Sequence, residues 1–152
     1  MLTNNFRSVL ECSIFGLMDT KVMIEDGTES SGSGTNYLSF KCSRLIKIGT
    51  GTTEAKQNDY KLESEIDSGK YTYNISLSGV TGDGSYDSIS GFSVVATVTN
   101  VSEEELTINE VGLFGNSTTN ISANKLMFLR EVYDTPIIME PGETKSFVLN
   151  LM

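Results

Sequence analysis

Residues 106–115 read Leu-Thr-Ile-Asn-Glu-Val-Gly-Leu-Phe-Gly, and residues 125–136 read Lys-Leu-Met-Phe-Leu-Arg-Glu-Val-Tyr-Asp-Thr-Pro. A polar loop rich in Asn, Ser and Thr, from Asn116 to Asn124, separates these two apolar runs. Two dense apolar runs joined by such a loop are typical of paired strands in the middle of a sheet. We therefore expect the stretch from Leu106 to Pro136 to form the centre of the fold.

Further short strands with a period of two flank this centre on both sides. Apolar and polar residues alternate through residues 71–77, 92–99 and 145–151, and weaker strand patterns occupy residues 21–25, 37–48 and 137–139. Eight or nine short strands without helices between them predict an all-β fold, either an antiparallel β-sandwich or a jelly-roll. At 152 residues the chain is long enough for one core, which we assign to a single domain over residues 21–152.

The N-terminal residues 1–20 follow a different, helical period. They carry one apolar stripe at spacings of three and four, formed by Phe6, Val9, Leu10, Ile14 and Leu17. This pattern predicts a short N-terminal helix over residues 5–17, with a strand beginning near Glu11 as the competing interpretation. A helix this short needs a partner. It can pack on its own sandwich or dock on a neighbouring subunit, and we expect the docking role.

Composition limits the partners that the protein can have. The net charge of −9 repels nucleic-acid phosphate, and the longest apolar runs are too short to span a membrane. Glu11 and Asp19 interrupt the apolar part of the N-terminus, so we expect no signal peptide and a protein made in a cytoplasm. In that compartment Cys12 and Cys42 are expected to be free thiols, although they could form one bridge.

The sequence offers no recognisable catalytic or cofactor-binding set. Histidine is absent, which removes the usual general base and the usual zinc ligand. The turn Gly49-Thr50-Gly51 lacks the Gly-Lys-Ser/Thr ending of a phosphate-binding loop, and Asp83 and Asp87 lack the spacing of a calcium loop. Asn-x-Ser/Thr triplets begin at four positions and are attributed to chance, namely at Asn74, Asn100, Asn116 and Asn120. We therefore expect no enzyme activity, no cofactor and no metal.

Two charged residues of opposite sign interrupt the central strands. By simple alternation Glu110 shares a face with Leu106 and Ile108, and Arg130 shares a face with Leu126 and Phe128. An unpaired buried charge costs several kcal/mol, so we expect Glu110 and Arg130 to form a structural ion pair across the sheet. The alternative is that strand bulges turn both side chains outward.

Several short motifs, taken in this order, resemble those of small bacteriophage virion proteins. They are an Ile-x-x-Gly-Thr-Gly-x-Thr turn at residues 46–53, Asp-Tyr-Lys-Leu-Glu-Ser at 59–64, Glu-Val-Gly-Leu at 110–113, Arg-Glu-Val at 130–132 and Pro-Gly-Glu at 141–143. The group includes head-associated and tail-associated proteins. The resemblance covers roughly residues 45–152, together with the Asn-Asn-Phe opening at residues 4–6.

The resemblance implies a non-enzymatic structural role in a virion assembled in the bacterial cytoplasm. The protein would be a capsid-accessory, collar or tail component, present in many copies or as a homo-oligomer, with other virion proteins as partners and neither nucleic acid nor a membrane among them. The alternative from a different class is a carbohydrate- or surface-binding β-sandwich module. Such modules use aromatic platforms, for which this chain has tyrosines but no tryptophan.

Overall fold

The computed structural model describes residues 1–8, 21–31, 45–78, 93–116 and 125–151. Residues 4–8 are α-helical, and Ser68–Lys70 form one turn of 3₁₀ helix. All other regular structure in these ranges is β, which confirms the predicted all-β class. The strands are β1 (Lys21–Met23), β2 (Glu29–Ser31), β3 (Leu45–Gly49), β4 (Tyr71–Ser78), β5 (Ser93–Asn100), β6 (Leu106–Asn116), β7 (Lys125–Met139) and β8 (Thr144–Asn150).

The strands form two three-stranded antiparallel sheets and one two-stranded ribbon. The first sheet has the order β3-β6-β7, the second has the order β4-β5-β8, and the ribbon pairs β1 with β2. The predicted pairing of the two central runs is confirmed, because β6 and β7 are antiparallel neighbours. These two strands bring the Glu-Val-Gly-Leu motif at residues 110–113 beside the Arg-Glu-Val motif at residues 130–132.

Residues 137–139 are not the separate short strand that the sequence suggests. They form the end of β7, and Met139 pairs with Leu106 at the start of β6. The register between the two strands jumps from Ile137 to Val132, so Pro136 lies in a stretch of β7 that has no partner residue in β6. Proline lacks an N–H group, but at this position no ladder hydrogen bond is lost.

Both three-stranded sheets contribute to one hydrophobic core. The predicted alternation of β5 is confirmed, since Val94, Ala96 and Val98 are buried in this core, and Phe147 and Leu149 of β8 join them. From the other sheet the core takes buried residues of all three strands, including Ile46, Ile48, Ile108, Val111, Leu113 and Leu129. Burying a side chain of this size contributes about 1.5–3 kcal/mol, so this shared core is the main source of stability.

Two irregularities in the pairing of β6 with β7 decide which side chains leave the core. The register shifts between Ile108 and Glu110, and again between Leu113 and Phe114. Because of the first shift, Ile108 and Val111 both face the core, and Glu110 faces the other side of the sheet. On that other side Phe114 forms a second, smaller apolar cluster with Met127 and Leu62.

The N-terminal residues pack along the free edge of β7. The Arg130 amide donates to the Met1 carbonyl at 3.0 Å, and the Thr3 amide donates to the Phe128 carbonyl at 2.9 Å. These bonds place Phe6 in the core, with its ring centroid 6.2 Å from that of Phe128. Phe6 therefore packs in the core of its own chain, which is the first of the two roles considered for the stripe. The other stripe residues, Val9, Leu10, Ile14 and Leu17, lie outside the described residues.

The second sheet presents an uncharged face on the side away from the core. Nine of its side chains form three successive cross-strand rows, one residue from each strand in a row. We call this surface the hydroxyl face, and it consists of Thr72, Thr99 and Thr144, then Asn74, Thr97 and Ser146, then Ser76, Val95 and Val148. The residues on the two edge strands are exposed and those on β5 are half-buried.

Candidate functional site

The outer side of the sheet β3-β6-β7 is covered by the segment that follows β3. The Thr50 amide donates to the Ser64 carbonyl at 2.8 Å, and the Ile66 amide donates to the Ile48 carbonyl at 2.9 Å. These bonds bring the chain back beside β3 after an excursion over residues 51–63. We call residues 51–64 the cover. The cover places Leu62 against Phe114 and encloses the charged residues of the sheet beneath it.

Glu110 is the centre of this enclosed site. Its side chain is fully buried, and each carboxylate oxygen accepts two hydrogen bonds. Oε1 accepts from the amides of Gly51 at 3.1 Å and Ser64 at 2.8 Å. Oε2 accepts from the Glu63 amide at 3.1 Å and from Arg130 Nε at 2.8 Å. Since each oxygen offers about two lone-pair sites, this carboxylate is saturated by its own chain.

Arg130 joins Glu110 to the cover. Besides its bond to Glu110, its Nη1 donates to Asp59 Oδ2 at 2.8 Å, and its Nη2 lies 3.6 Å from Glu63 Oε2. The guanidinium side chain is only 4% exposed. Burial by itself lowers the pKa of Arg130, but the hydrogen bonds that Arg130 donates to Asp59 and Glu110 outweigh this effect, so its pKa lies above the usual value. Arg130 is therefore held as a cation that ties the sheet to the excursion.

The glycines of the Gly-Thr-Gly turn are required by the close approach of Glu110. A Cβ atom on Gly49 or on Gly51 would lie 2.5 Å from Glu110 Oε1, a distance that no real Cβ contact reaches. The Gly51 amide is already committed to the same carboxylate. The turn thus cradles an anion, but the anion is a side chain of this protein and not a phosphate.

Lys47 forms a second buried cationic centre on the same side of the sheet. The basic stretch Lys41, Arg44 and Lys47 suggests the solvated side of a strand, and for Lys47 this interpretation is wrong because its side chain is 8% exposed. Lys47 contacts Glu25, which follows the β1 strand, and Glu65 at 2.7 Å, and its Nζ lies 5.1 Å above the Phe114 ring. Burial by itself lowers the pKa of Lys47, but the hydrogen bonds that Lys47 donates to Glu25 and Glu65 outweigh this effect and raise the pKa. Lys41 and Arg44 lie outside the described residues.

Glu110 and Arg130 together hold the segment over residues 51–64 against the sheet, and we call this ion pair the clamp. The structure brings together the two residues that the sequence pairs, but on the opposite side of the sheet from the core. The bulge near Asn109 moves Glu110 to that side, and the segment from Gly51 to Ser64 covers the pair there. A saturated, fully buried carboxylate has no free lone pair to offer a substrate. The described ranges also contain no cluster of three or more Asp, Glu, His or Cys residues with metal-binding geometry.

Asn100 is a buried structural residue and not an exposed glycan acceptor. Its side chain is enclosed, and Nδ2 donates to the carbonyls of Glu104 at 2.8 Å and Met139 at 3.0 Å. Its Oδ1 accepts from the Ser102 amide at 3.0 Å. The Pro-Gly-Glu hairpin packs here as well, because the Gly142 amide donates to the Asn100 carbonyl at 2.9 Å. Asn74 is exposed, and Asn116 is the last residue of β6.

Three tyrosines of the second sheet and of β7, Tyr71, Tyr73 and Tyr133, do not form a flat binding platform. Tyr71 is 4% exposed within the core, and Tyr133 packs against the core residue Phe147 with ring centroids 6.1 Å apart. Tyr73 is 37% exposed at the edge of the second sheet, with its ring tilted by 38° to that of Tyr71. Several other predicted residues lie outside the described part of the chain, namely Cys12, Cys42, Asp83, Asp87 and Asn120.

Asp59 and Lys47 are two members of the site that sequence reasoning misses. Asp59 is the second close acid on Arg130, and Lys47 holds the ribbon to the sheet through Glu25. The motif Asp-Tyr-Lys-Leu-Glu-Ser at residues 59–64 contains a signal for Asp59. Its first and fifth residues, Asp59 and Glu63, carry the two carboxylates that lie nearest Arg130 besides that of Glu110. The sequence shows the motif but does not indicate which groups its two carboxylates contact.

Comparisons with protein-family models, with curated proteins and with solved structures gave no match for this chain. Within the described residues no helix is both long enough and apolar enough to cross a membrane. The geometry of the chain itself is therefore the basis for assigning a role.

Proposed function

We propose that this protein is a non-enzymatic structural component of a bacteriophage virion, acting through contacts with other virion proteins in a symmetric assembly. The observation that carries the proposal is that the short motifs resembling those of small bacteriophage virion proteins lie close together in the folded chain. Gly51, Asp59, Glu63, Glu110 and Arg130 come from four separate motifs and meet around one buried ion pair, that of Glu110 with Arg130. The motifs that carry the resemblance therefore supply residues that bond to one another and stabilise the fold.

The charged cluster supports a structural role over a catalytic one. A general acid or base must reach a substrate proton directly or through one water. Glu110 is fully buried and accepts four hydrogen bonds from its own chain, so it supports no such contact. Lys47 is likewise held by two carboxylates, and Arg130 is held by three.

The finer architecture belongs to the same proposal. We infer a β-sandwich in which the sheets β3-β6-β7 and β4-β5-β8 face each other across the shared core. Support comes from the buried residues that both sheets contribute to one cluster. The N-terminal residues extend the first sheet at the β7 edge, where the Leu2 bridge to Leu129 protects an otherwise free strand.

Particle composition tests this function directly. The chain would be tagged and expressed in the cells that carry its gene during particle production, and the particles would be banded by density and analysed by mass spectrometry. We expect a constant molar ratio of the chain to the major particle protein in every particle fraction. An abundant host protein serves as the carry-over control. Recovery of the chain only in particle-free fractions would refute the virion role.

A further inference from the structure

We propose that the hydroxyl face is a self-association surface on which the same face of a second copy packs. This inference deepens the proposed function, and it rests on that function where it takes the contact to be one between copies in a particle. The face is the outer side of β4-β5-β8 and carries neither a positive nor a negative side chain.

Charge is the first argument for a second copy as the partner. The chain carries 20 acidic and 11 basic residues, so two copies repel each other through most orientations. The opposite sheet carries Lys47, Glu110 and Arg130 together with the acids of its cover. The hydroxyl face brings no like charges together and offers no attraction to a charged partner, so a neutral face is its best match.

Hydrogen bonding is the second argument. A hydroxyl group donates one bond and accepts two, so an array of Thr and Ser is complementary to itself. A two-fold contact requires this property, because both copies present the same patch. Thr99 and Thr144 already bond within the face, with 2.8 Å between their oxygens. Val148 adds an apolar side chain that is 52% exposed, which an association would cover.

The size of the face predicts a weak contact between two isolated copies. Three strands of seven or eight residues cover roughly 14 by 26 Å, which is about half of the ~800 Å² per partner that is typical of a stable pair. The interaction is therefore expected to be weak in dilute solution and to gain strength where an assembly holds many copies close together.

Sedimentation velocity of the purified full chain tests the proposal, with the concentration varied about a hundredfold up to the millimolar range. We expect the wild-type sedimentation coefficient to rise with concentration. Thr97→Lys and Thr97→Glu each place a charge at the centre of the face, and each is expected to weaken association about tenfold. Thr107→Lys and Thr107→Glu are the matched controls, because Thr107 lies on the other sheet and is half-buried like Thr97.

The two signs of charge separate a specific contact from general repulsion. Under the proposal both Thr97 variants associate less than the wild type, and the Thr107 variants remain within about twofold of it. If Lys at position 97 strengthens association and Glu weakens it, net charge alone governs the behaviour and the proposal fails. A sedimentation coefficient that stays constant up to the millimolar range also overturns it.

A glycan-binding role for the same face gives a different result. Retention of the wild type on an amylose or cellulose column, lost in Thr97→Lys and without concentration-dependent association, would assign the face to a neutral polysaccharide and overturn the proposal. These measurements use purified protein alone. If the chain is not found in virions, a measured self-association of the purified protein still stands. If the protein does not self-associate, the particle-composition experiment still tests the virion role independently.

Discussion

The outer sides of the two three-stranded sheets differ in almost every physical respect. The outer side of β3-β6-β7 is covered by residues 51–64 and contains buried Lys47, Glu110 and Arg130. The hydroxyl face of β4-β5-β8 has no charge, and six of its nine side chains are exposed. On the covered side each charge has a fixed set of partners, so the sequence there is tightly constrained. On the hydroxyl face, substitutions that keep strand propensity should leave the fold intact.

The largest expected effect is on the covered side, at Arg130. Arg130→Met leaves Glu110 fully buried without its cation, and removing one member of a buried pair costs about 3–5 kcal/mol. We expect a large drop in the free energy of unfolding, measured by urea denaturation followed by circular dichroism.

Lys70 provides the matched control for Arg130. It pairs with Glu104 at 2.9 Å, but the two side chains are 44% and 73% exposed. Lys70→Met should therefore change stability by less than about 1 kcal/mol. Equal effects of the two substitutions would show that burial does not distinguish the pairs, and the contrast between the covered and open sides would lose its basis.

The next largest expected loss of stability concerns the Gly-Thr-Gly turn that contacts Glu110. Gly51→Ala places a Cβ atom 2.5 Å from Glu110 Oε1 and 2.5 Å from Glu63 Cβ. Overpacking of this kind costs about 1–3 kcal/mol. Thermal denaturation should show a lower Tm. Gly69→Ala is the control, because its Cβ would meet only Asp67 Oδ1 at 3.1 Å in an exposed turn. A Tm of Gly51→Ala equal to that of wild type would mean that the turn is not held against Glu110.

Sequence reasoning predicts the strands well and their faces poorly. The alternation of β5 is correct because that strand is regular, with Val94, Ala96 and Val98 all buried. Simple alternation places Glu110 on the core side, but the register shift after Ile108 moves it to the other side. The pairing with Arg130 follows from the cost of burying a charge on either side, so it does not depend on the face. A bulge depends on the partner strand, and one strand's sequence does not reveal it.

The clamp also shows why short motifs identify a site without explaining it. Gly-Thr-Gly is typical of a tight turn, and its amides serve as well for a carboxylate as for a phosphate. Only the fold shows that Glu110, about 60 residues later in the chain, occupies the position of the anion. Lys47 is missed for a similar reason, since its two carboxylate partners belong to segments before and after its own strand.

The inner side of the second sheet contains a buried ionisable group of its own. Burial raises the pKa of Tyr71 to about 12 from an ordinary 10.0. The folded state thus favours the neutral phenol. Stability from this group is complete below pH 10 and is lost as the pH rises towards 12. Urea denaturation over this window should show the loss in wild type, by up to about 2 kcal/mol allowing for solvent screening. Tyr71→Phe should remove this part of the pH dependence, and an unchanged pH profile would show that Tyr71 is not the group responsible.

The smallest expected effect is on the hydroxyl face. Thr97→Lys adds a charge to a half-buried position that faces away from the core, so its cost is limited to a change in strand propensity of about 1 kcal/mol or less. Denaturation of the monomer at low concentration should confirm a native fold. Destabilisation as large as that of Arg130→Met would show that something in the folded monomer covers this face.

The most direct test of the clamp is a double-mutant cycle on Glu110 and Arg130, built from Glu110→Gln, Arg130→Met and the double variant. Urea denaturation gives the free energy of unfolding of all four proteins. Because the two side chains bond at 2.8 Å inside the protein, the account predicts a coupling energy of about 2–3 kcal/mol, with the double variant more stable than the sum of the single effects implies. Additive effects within about 0.5 kcal/mol would contradict it, since the motifs would then not converge on an energetically coupled pair.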